Sequence, residues 1–163
     1  MSGRVRLTQE QRSSQTQAKL LNATISCLIQ DGYAKVTTTE VCKRAGMSQG
    51  AIFKHFPTKA ALVAAAIAKL YDQLLETFRL AVTGIATDGD KVKLCLEALI
   101  SLFELPELLA VYDLHTASRT DEELRACLEP WEQRHRNRIR ALARELFPEQ
   151  AGSRFFGPGV DVL

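Results

Sequence analysis

Apolar residues recur along this chain at three- and four-residue intervals, and no stretch alternates with the period of two that a strand requires. Leu20, Thr24, Cys27 and Leu28 mark one face of a first helix, which starts at Gln9 or Thr16 and runs to Gln30 before Asp31-Gly32 stops it. Two short elements follow, near 38–45 and 49–55. Pro57-Thr58 then breaks the chain and caps a long helix to about Val82, striped by Leu62, Ala65, Ile67, Leu70, Tyr71, Leu74 and Phe78. Residues 83–90, with two glycines, read as a loop. A further helix covers 91–103, with Val92, Leu94, Leu96, Leu99, Ile100 and Phe103 as its apolar positions. Pro106 opens another to about Ala117. Thr120 with Glu123 forms a capping box for a last helix from Asp121 towards Phe147, bent at Pro130 and ended by Pro148. The fold class predicted is all-α.

The densest local signals lie between Thr37 and Lys59. Thr37, Thr38 and Thr39 offer hydroxyls to cap the first short helix, and Val41, Cys42 and Ala45 give it a small apolar face. Gly46 stands where a left-handed residue closes a helix at low cost. Ser48 stands at the next N-cap, and Ala51, Ile52 and Phe56 supply the following buried side. Helix, three-residue turn and second helix make the layout whose second helix enters a DNA major groove. Within it Gln49 has the amide that pairs with an adenine edge, and Ser48 either caps or meets a phosphate. Gly50 leaves room for close approach. Thr38 and Lys59 sit at helix N-termini, where N–H groups and the dipole favour phosphate. Lys43 and Arg44 either draw DNA electrostatically or form a plain solvated face. Arg4 and Arg6 belong to a basic leading segment that either follows the minor groove or is an untethered tail.

Residues 45–62, AGMSQGAIFKHFPTKAAL, resemble the DNA-binding signature of the TetR family of transcriptional regulators. The matching positions are Ala45, Gly46, Met47, Ser48, Ile52, Phe53, Phe56 and Lys59, with Gly32-Tyr33 and Val36-Thr37-Thr38 fitting the junction upstream; the likeness spans residues 12–64. It implies a helix-turn-helix DNA-binding domain over 1–58 and a helical effector-binding and dimerising domain over 59–163. It also implies a regulator, most simply a ligand-responsive repressor, that binds double-stranded DNA at an inverted repeat as a homodimer. By the same resemblance Lys54 and His55 touch the DNA backbone, and Phe53 lies against sugar and phosphate. His55 has a second reading, as a helix residue packed between Phe53 and Phe56. Family members usually continue into two long pairing helices, and this chain stops at Leu163, near the expected start of the first. That shortness puts the usual dimer in question. It also motivates another reading: a truncated helical interaction or ligand-binding protein that does not bind DNA by itself.

Charge agrees with a DNA-binding front. Residues 1–59 hold nine Lys or Arg against three Asp or Glu, whereas the rest holds twelve against sixteen. Cys27, Cys42, Cys95 and Cys127 form no CxxC pair and have no histidine at ligand spacing, so no metal or cofactor is expected. Neither a signal peptide nor a membrane span is expected, which places the chain in the cytoplasm. No arrangement of catalytic side chains suggests an enzyme. An effector would lie between helices of the second half, with Tyr71, Phe78, Phe103, Tyr112, His115, Arg119 and Trp131 as candidate contacts. His115 and Arg119 share a helix face, fit either for a carboxylate or phenol or for ion pairs with Glu122 or Glu123.

Overall fold

A computed structural model describes residues 8–83 and 88–152, with side chains from 88 to 90 left aside; Arg4, Arg6 and everything after Gly152 lie outside the described residues. Within them the chain is helical throughout, with no strand: α1 Gln9–Asp31, α2 Thr38–Ala45, α3 Gln49–His55, α4 Lys59–Val82, α5 Asp88–Phe103, α6 Pro106–Ser118 and α7 Glu122–Leu146. Short 3₁₀ turns cover Tyr33–Lys35 and Gln150–Gly152.

Local chemistry explains most boundaries. Thr8 and Gln11 form a reciprocal capping box at the start of α1. Thr37, rather than Thr38 or Thr39, caps α2, its hydroxyl accepting from the Glu40 N–H at 3.1 Å. Thr58 caps α4 through the Ala61 N–H at 3.1 Å. The start of α7 corrects the expected Thr120–Glu123 box. Asp121 is the cap, accepting from the Leu124 N–H at 2.9 Å, because its carboxylate is the stronger acceptor for an orphan donor. The Thr120 hydroxyl instead donates backwards to the Ala117 carbonyl. Helix α5 begins at Asp88, three residues before the expected start. Helix α7 passes through Pro130 without interruption.

One hydrophobic core runs through α1, α2, α3, α4, α6 and the first turns of α7, with Leu20, Val41, Ile52, Leu62, Ile67, Leu70, Leu114 and Leu124 all but sealed from solvent. Helix α4 is its spine. It packs on α1 and α6 and lies against α5 and α7. Each cysteine thiol is pushed up in pKa by burial, as for a small hydrophobe. The expected apolar face of α5 is correct at only two of its six positions. Leu94 and Leu99 turn inward, while Val92, Leu96, Ile100 and Phe103 form an exposed stripe at spacings of four, four and three residues. Leu109 and Tyr112 of α6 are exposed as well. No single helix among the described residues is long and apolar enough to cross a membrane.

Candidate nucleic-acid interface and helical cavity

The turn between α2 and α3 is closed by backbone geometry. Gly46 is left-handed, at φ 65° and ψ 39°. From there the Met47 N–H reaches the Cys42 carbonyl at 2.9 Å and the Gly46 N–H reaches that of Lys43 at 3.3 Å. This nested pair satisfies the last carbonyls of α2 and aims α3 away from it. Ile52 and Phe56 anchor α3 in the core, so its other side faces outward.

That outward side gathers most of the expected contact residues. Gln49 is exposed, and its Nε2 donates to the Thr39 hydroxyl at 2.9 Å, which leaves the amide oxygen and one N–H to face outward. Thr39 was expected only as a possible cap; here it positions the side chain best suited to read a base. Ser48 makes no capping bond, so its hydroxyl is not tied to the helix end. A Cβ added at Gly50 would meet nothing nearer than the Ser48 oxygen at 3.9 Å, so internal packing does not require glycine there. Phe53 is 53% exposed, a large apolar ring standing in water beside exposed Lys54. His55 is half-buried and tilted against Phe56 at 6.4 Å. Thr38 is half-buried at the start of α2.

The three remaining cations separate. Lys43 is 80% exposed and only grazes Glu40 at 4.0 Å. Arg44 corrects the expectation of a free charge. Its guanidinium donates to Glu40 at 3.0 Å, Asp31 at 2.6 Å, Gln30 at 2.9 Å and Ser26 at 3.4 Å, which clamps α2 to α1. A guanidinium so occupied has little left for phosphate. Lys59 sits with its ammonium 4.4 Å over the Tyr33 ring; burial lowers its pKa, opposed by the nearby Asp121 carboxylate.

Tyr33 joins this head to the rest of the molecule. Its N–H donates to Asp113 of α6 at 2.8 Å, and its hydroxyl donates to Asp121, the cap of α7, at 3.0 Å. Burial, and then that anionic acceptor, push the phenol up to about 12. Asp121 is correspondingly held below the usual carboxylate range, first by the Leu124 N–H and then by Tyr33.

In the other half, α4, α5, α6 and α7 line a cavity of about 340 Å³ that opens to solvent beside exposed Phe103 and Tyr112. Leu74, Leu99, Leu102, Ile139 and Leu142 are among its apolar lining residues. Of the expected contacts, Tyr71, Phe78, Phe103, Tyr112 and His115 line it. Arg119 and Trp131 do not. Arg119 lies past the last residue of α6, at its C-cap, and Trp131 packs on the core beside a much smaller hollow. Neither expected ion pair of that face forms: Glu122 is paired with Arg125, and His115 with Glu132. Glu132, His135 and Arg136 complete the cavity's polar lining and were missed in the sequence, although their spacing puts all three on one face of α7. The His135 ring stacks flat on Tyr71, with centroids 4.1 Å apart and planes 6° from parallel. Its Nδ1 is buried without a partner, and burial, then Arg136 and His115, push its pKa down to about 4. Burial likewise raises that of Tyr71.

Comparison with known proteins agrees with this anatomy. The family model for bacterial regulatory proteins of the tetR family matches residues 20–66, the stretch from mid-α1 into α4. An uncharacterized HTH-type transcriptional regulator of Mycobacterium tuberculosis is 35% identical over 148 residues, covering 88% of this chain and 76% of its own. The chain belongs to the TetR family of bacterial regulatory proteins. It is thus a DNA-binding transcriptional regulator. The HTH-type regulator CymR of Pseudomonas putida is 32% identical over 80% of this chain and 64% of its own. Among solved structures, a TetR-family regulator from Rhodococcus sp. superposes with a TM-score of 0.72 at 21% identity, over 91% of this chain and 81% of that one. A regulator from Saccharomonospora viridis in complex with choline gives 0.64 at 17% identity, over 91% and 79%. These two likenesses speak to the fold.

Proposed function

We propose that this TetR-family regulator is a ligand-responsive repressor that binds an inverted-repeat operator as a homodimer in the cytoplasm and is not an enzyme. Residues 1–58 act as the DNA-binding unit and 59–163 as the effector-binding unit, with α4 passing motion between them. The observation that carries the reading is the outward face of α3, where Gln49 is held by Thr39 beside an uncapped Ser48 hydroxyl, an exposed Phe53 and Lys54. Gln49 reads an adenine edge. Thr38, Lys43, Ser48, Gly50, Phe53, Lys54, His55 and Lys59 face sugar and phosphate and set the register. Arg44 serves the fold instead. A small molecule in the cavity re-spaces the two heads, so that they no longer match half-sites about one helical turn apart.

The test is selection of bound duplexes from a random library at near-physiological salt, where non-specific attraction is weak. An inverted repeat is expected. A lone half-site would remove the dimer from the proposal, and no enrichment would remove operator binding altogether. On the selected site, Gln49→Ala should relax preference by roughly 1–3 kcal/mol at a single base pair. An unaltered preference in that variant would strip Gln49 of its role.

A further inference from the structure

The cavity between α4, α5, α6 and α7 is lined mostly by apolar side chains, and Tyr71, His115 and Glu132 form one hydrogen-bonded chain on its wall that has a direction. The Tyr71 hydroxyl lies 2.9 Å from His115 Nε2, and His115 Nδ1 lies 3.2 Å from a Glu132 carboxylate oxygen. Because a carboxylate only accepts, the Nδ1–Glu132 contact assigns the ring proton to Nδ1 in the singly protonated imidazole. Nε2 is then the acceptor, and the Tyr71 O–H must donate to it. The phenol oxygen is left with lone pairs and no proton to offer. His135, stacked flat on Tyr71, holds the ring in place.

Charge along this chain is balanced. Glu132 is met by Arg136 at 3.9 Å, and His135 stays neutral because burial pushes its pKa down to about 4. A ligand anion would find no uncompensated cation and would lie close to Glu132. A ligand cation would leave water for a largely hydrocarbon wall with no unpaired anion to receive it.

We infer that the cavity takes a neutral, mainly hydrocarbon molecule bearing one hydroxyl, which donates its proton to the Tyr71 oxygen. This rests on the reading of the cavity as the effector site.

The experiment is calorimetric titration of the full chain at pH 8 with four probes of nearly equal size: 1-octanol, 1-methoxyheptane, octanoate and octylammonium. 1-Octanol should bind tightest, about fivefold better than the ether, which has the oxygen but no proton to donate, and about tenfold or more better than either ion. Tyr71→Phe should bring alcohol and ether to equal affinity. The inference is overturned if the ether or either ion matches the alcohol, if the alcohol-to-ether ratio persists in Tyr71→Phe, or if none of the four binds. The probe series on the unaltered protein decides the matter even where the variant folds poorly. Adding the alcohol to the complex with selected DNA separates the two readings. Tight, hydroxyl-dependent binding without DNA release supports the ligand class and removes the effector role.

Discussion

The recognition head and the cavity-bearing body are both helical, but the contacts that define them differ in reach. In the head, Gln49 is held by Thr39 ten residues away, and the turn that aims α3 is closed between Cys42 and Met47. In the body, the hydrogen-bonded chain on the cavity wall needs Tyr71 from α4, His115 from α6 and Glu132 from α7, with Tyr71 and His115 separated by 44 positions. A site built from neighbouring turns survives small shifts of the helices around it. A site built from three helices records their relative placement. Tyr33 sits between the two, bonded to Asp113 and Asp121 from the head's side.

The most damaging way to break this division is at the joint. Gly32 has φ 73° and ψ 161°, a region essentially closed to other residues, and a Cβ there would stand 3.2 Å from the Asp113 carboxylate that receives the Tyr33 N–H. Gly32→Ala should cost roughly 2–3 kcal/mol of stability, read as a lower urea midpoint at unchanged slope. A loss below about 0.5 kcal/mol would show that the joint adapts, and that head and body are coupled less tightly than these distances imply.

Arg44→Ala tests the head's internal clamp. Losing the bonds to Glu40, Asp31, Gln30 and Ser26 should lower the unfolding midpoint by about 2–5 °C. The salt dependence of DNA binding should stay unchanged, whereas Lys54→Ala should reduce its slope by about one. A reduced slope in the Arg44 variant would return that residue to the DNA contacts.

These two residues also show what could be read in advance. The bounds of α2 and α3, the left-handed Gly46 and the outward Gln49 follow from local capping and spacing, so the sequence carries them openly. That Arg44 would turn back onto α1 depends on how α2 docks there, and spacing within α2 is silent on docking. The cap at Asp121 was hidden because Thr120 and Glu123 fit the capping pattern equally well. Four of the six apolar positions of α5 proved exposed, since periodicity marks a stripe without saying what covers it. In the cavity, Tyr71, Phe103, Tyr112 and His115 could be picked out as aromatic or titratable side chains, while Glu132, His135 and Arg136 resembled any charged face until α7 lay against α4. Phe78 was equally visible, and Trp131 misled for the same reason that it was noticed, its size.

The body's dependence on long-range packing has a pH signature. His135 is held neutral in the fold, at about 4 against an ordinary value of 6.5. Between those values the unfolded chain binds the proton and the native state does not, so stability rises with pH across the window and is lost as pH falls from 6.5 towards 4. The loss should be roughly 1–2 kcal/mol once solvent screening of a part-exposed ring is allowed for. His135→Phe keeps a ring to stack on Tyr71 and should flatten this slope, while leaving the DNA preference of the head untouched. An equally steep slope in the variant would mean that another group is responsible.

The smallest effect concerns the second bond of the joint. Tyr33→Phe removes the hydroxyl that donates to Asp121 at 3.0 Å but keeps the ring beneath Lys59. Asp121 is also held down by the Leu124 N–H, the larger influence, so its pKa should move only part of the way back towards the usual carboxylate value. A carboxyl depressed in the fold adds stability above its unfolded pKa, and that contribution disappears as pH falls through the folded value. The variant should therefore lose roughly 0.5–1 kcal/mol near neutrality and show a shallower decline in acid than the parent chain. If Tyr33 is the connection between the two regions, the same change should also weaken the response of DNA binding to a ligand in the cavity, with intrinsic DNA affinity nearly unchanged. A full ligand response in Tyr33→Phe would shift the coupling onto α4 alone, whose length is shared by the head's core and the cavity wall.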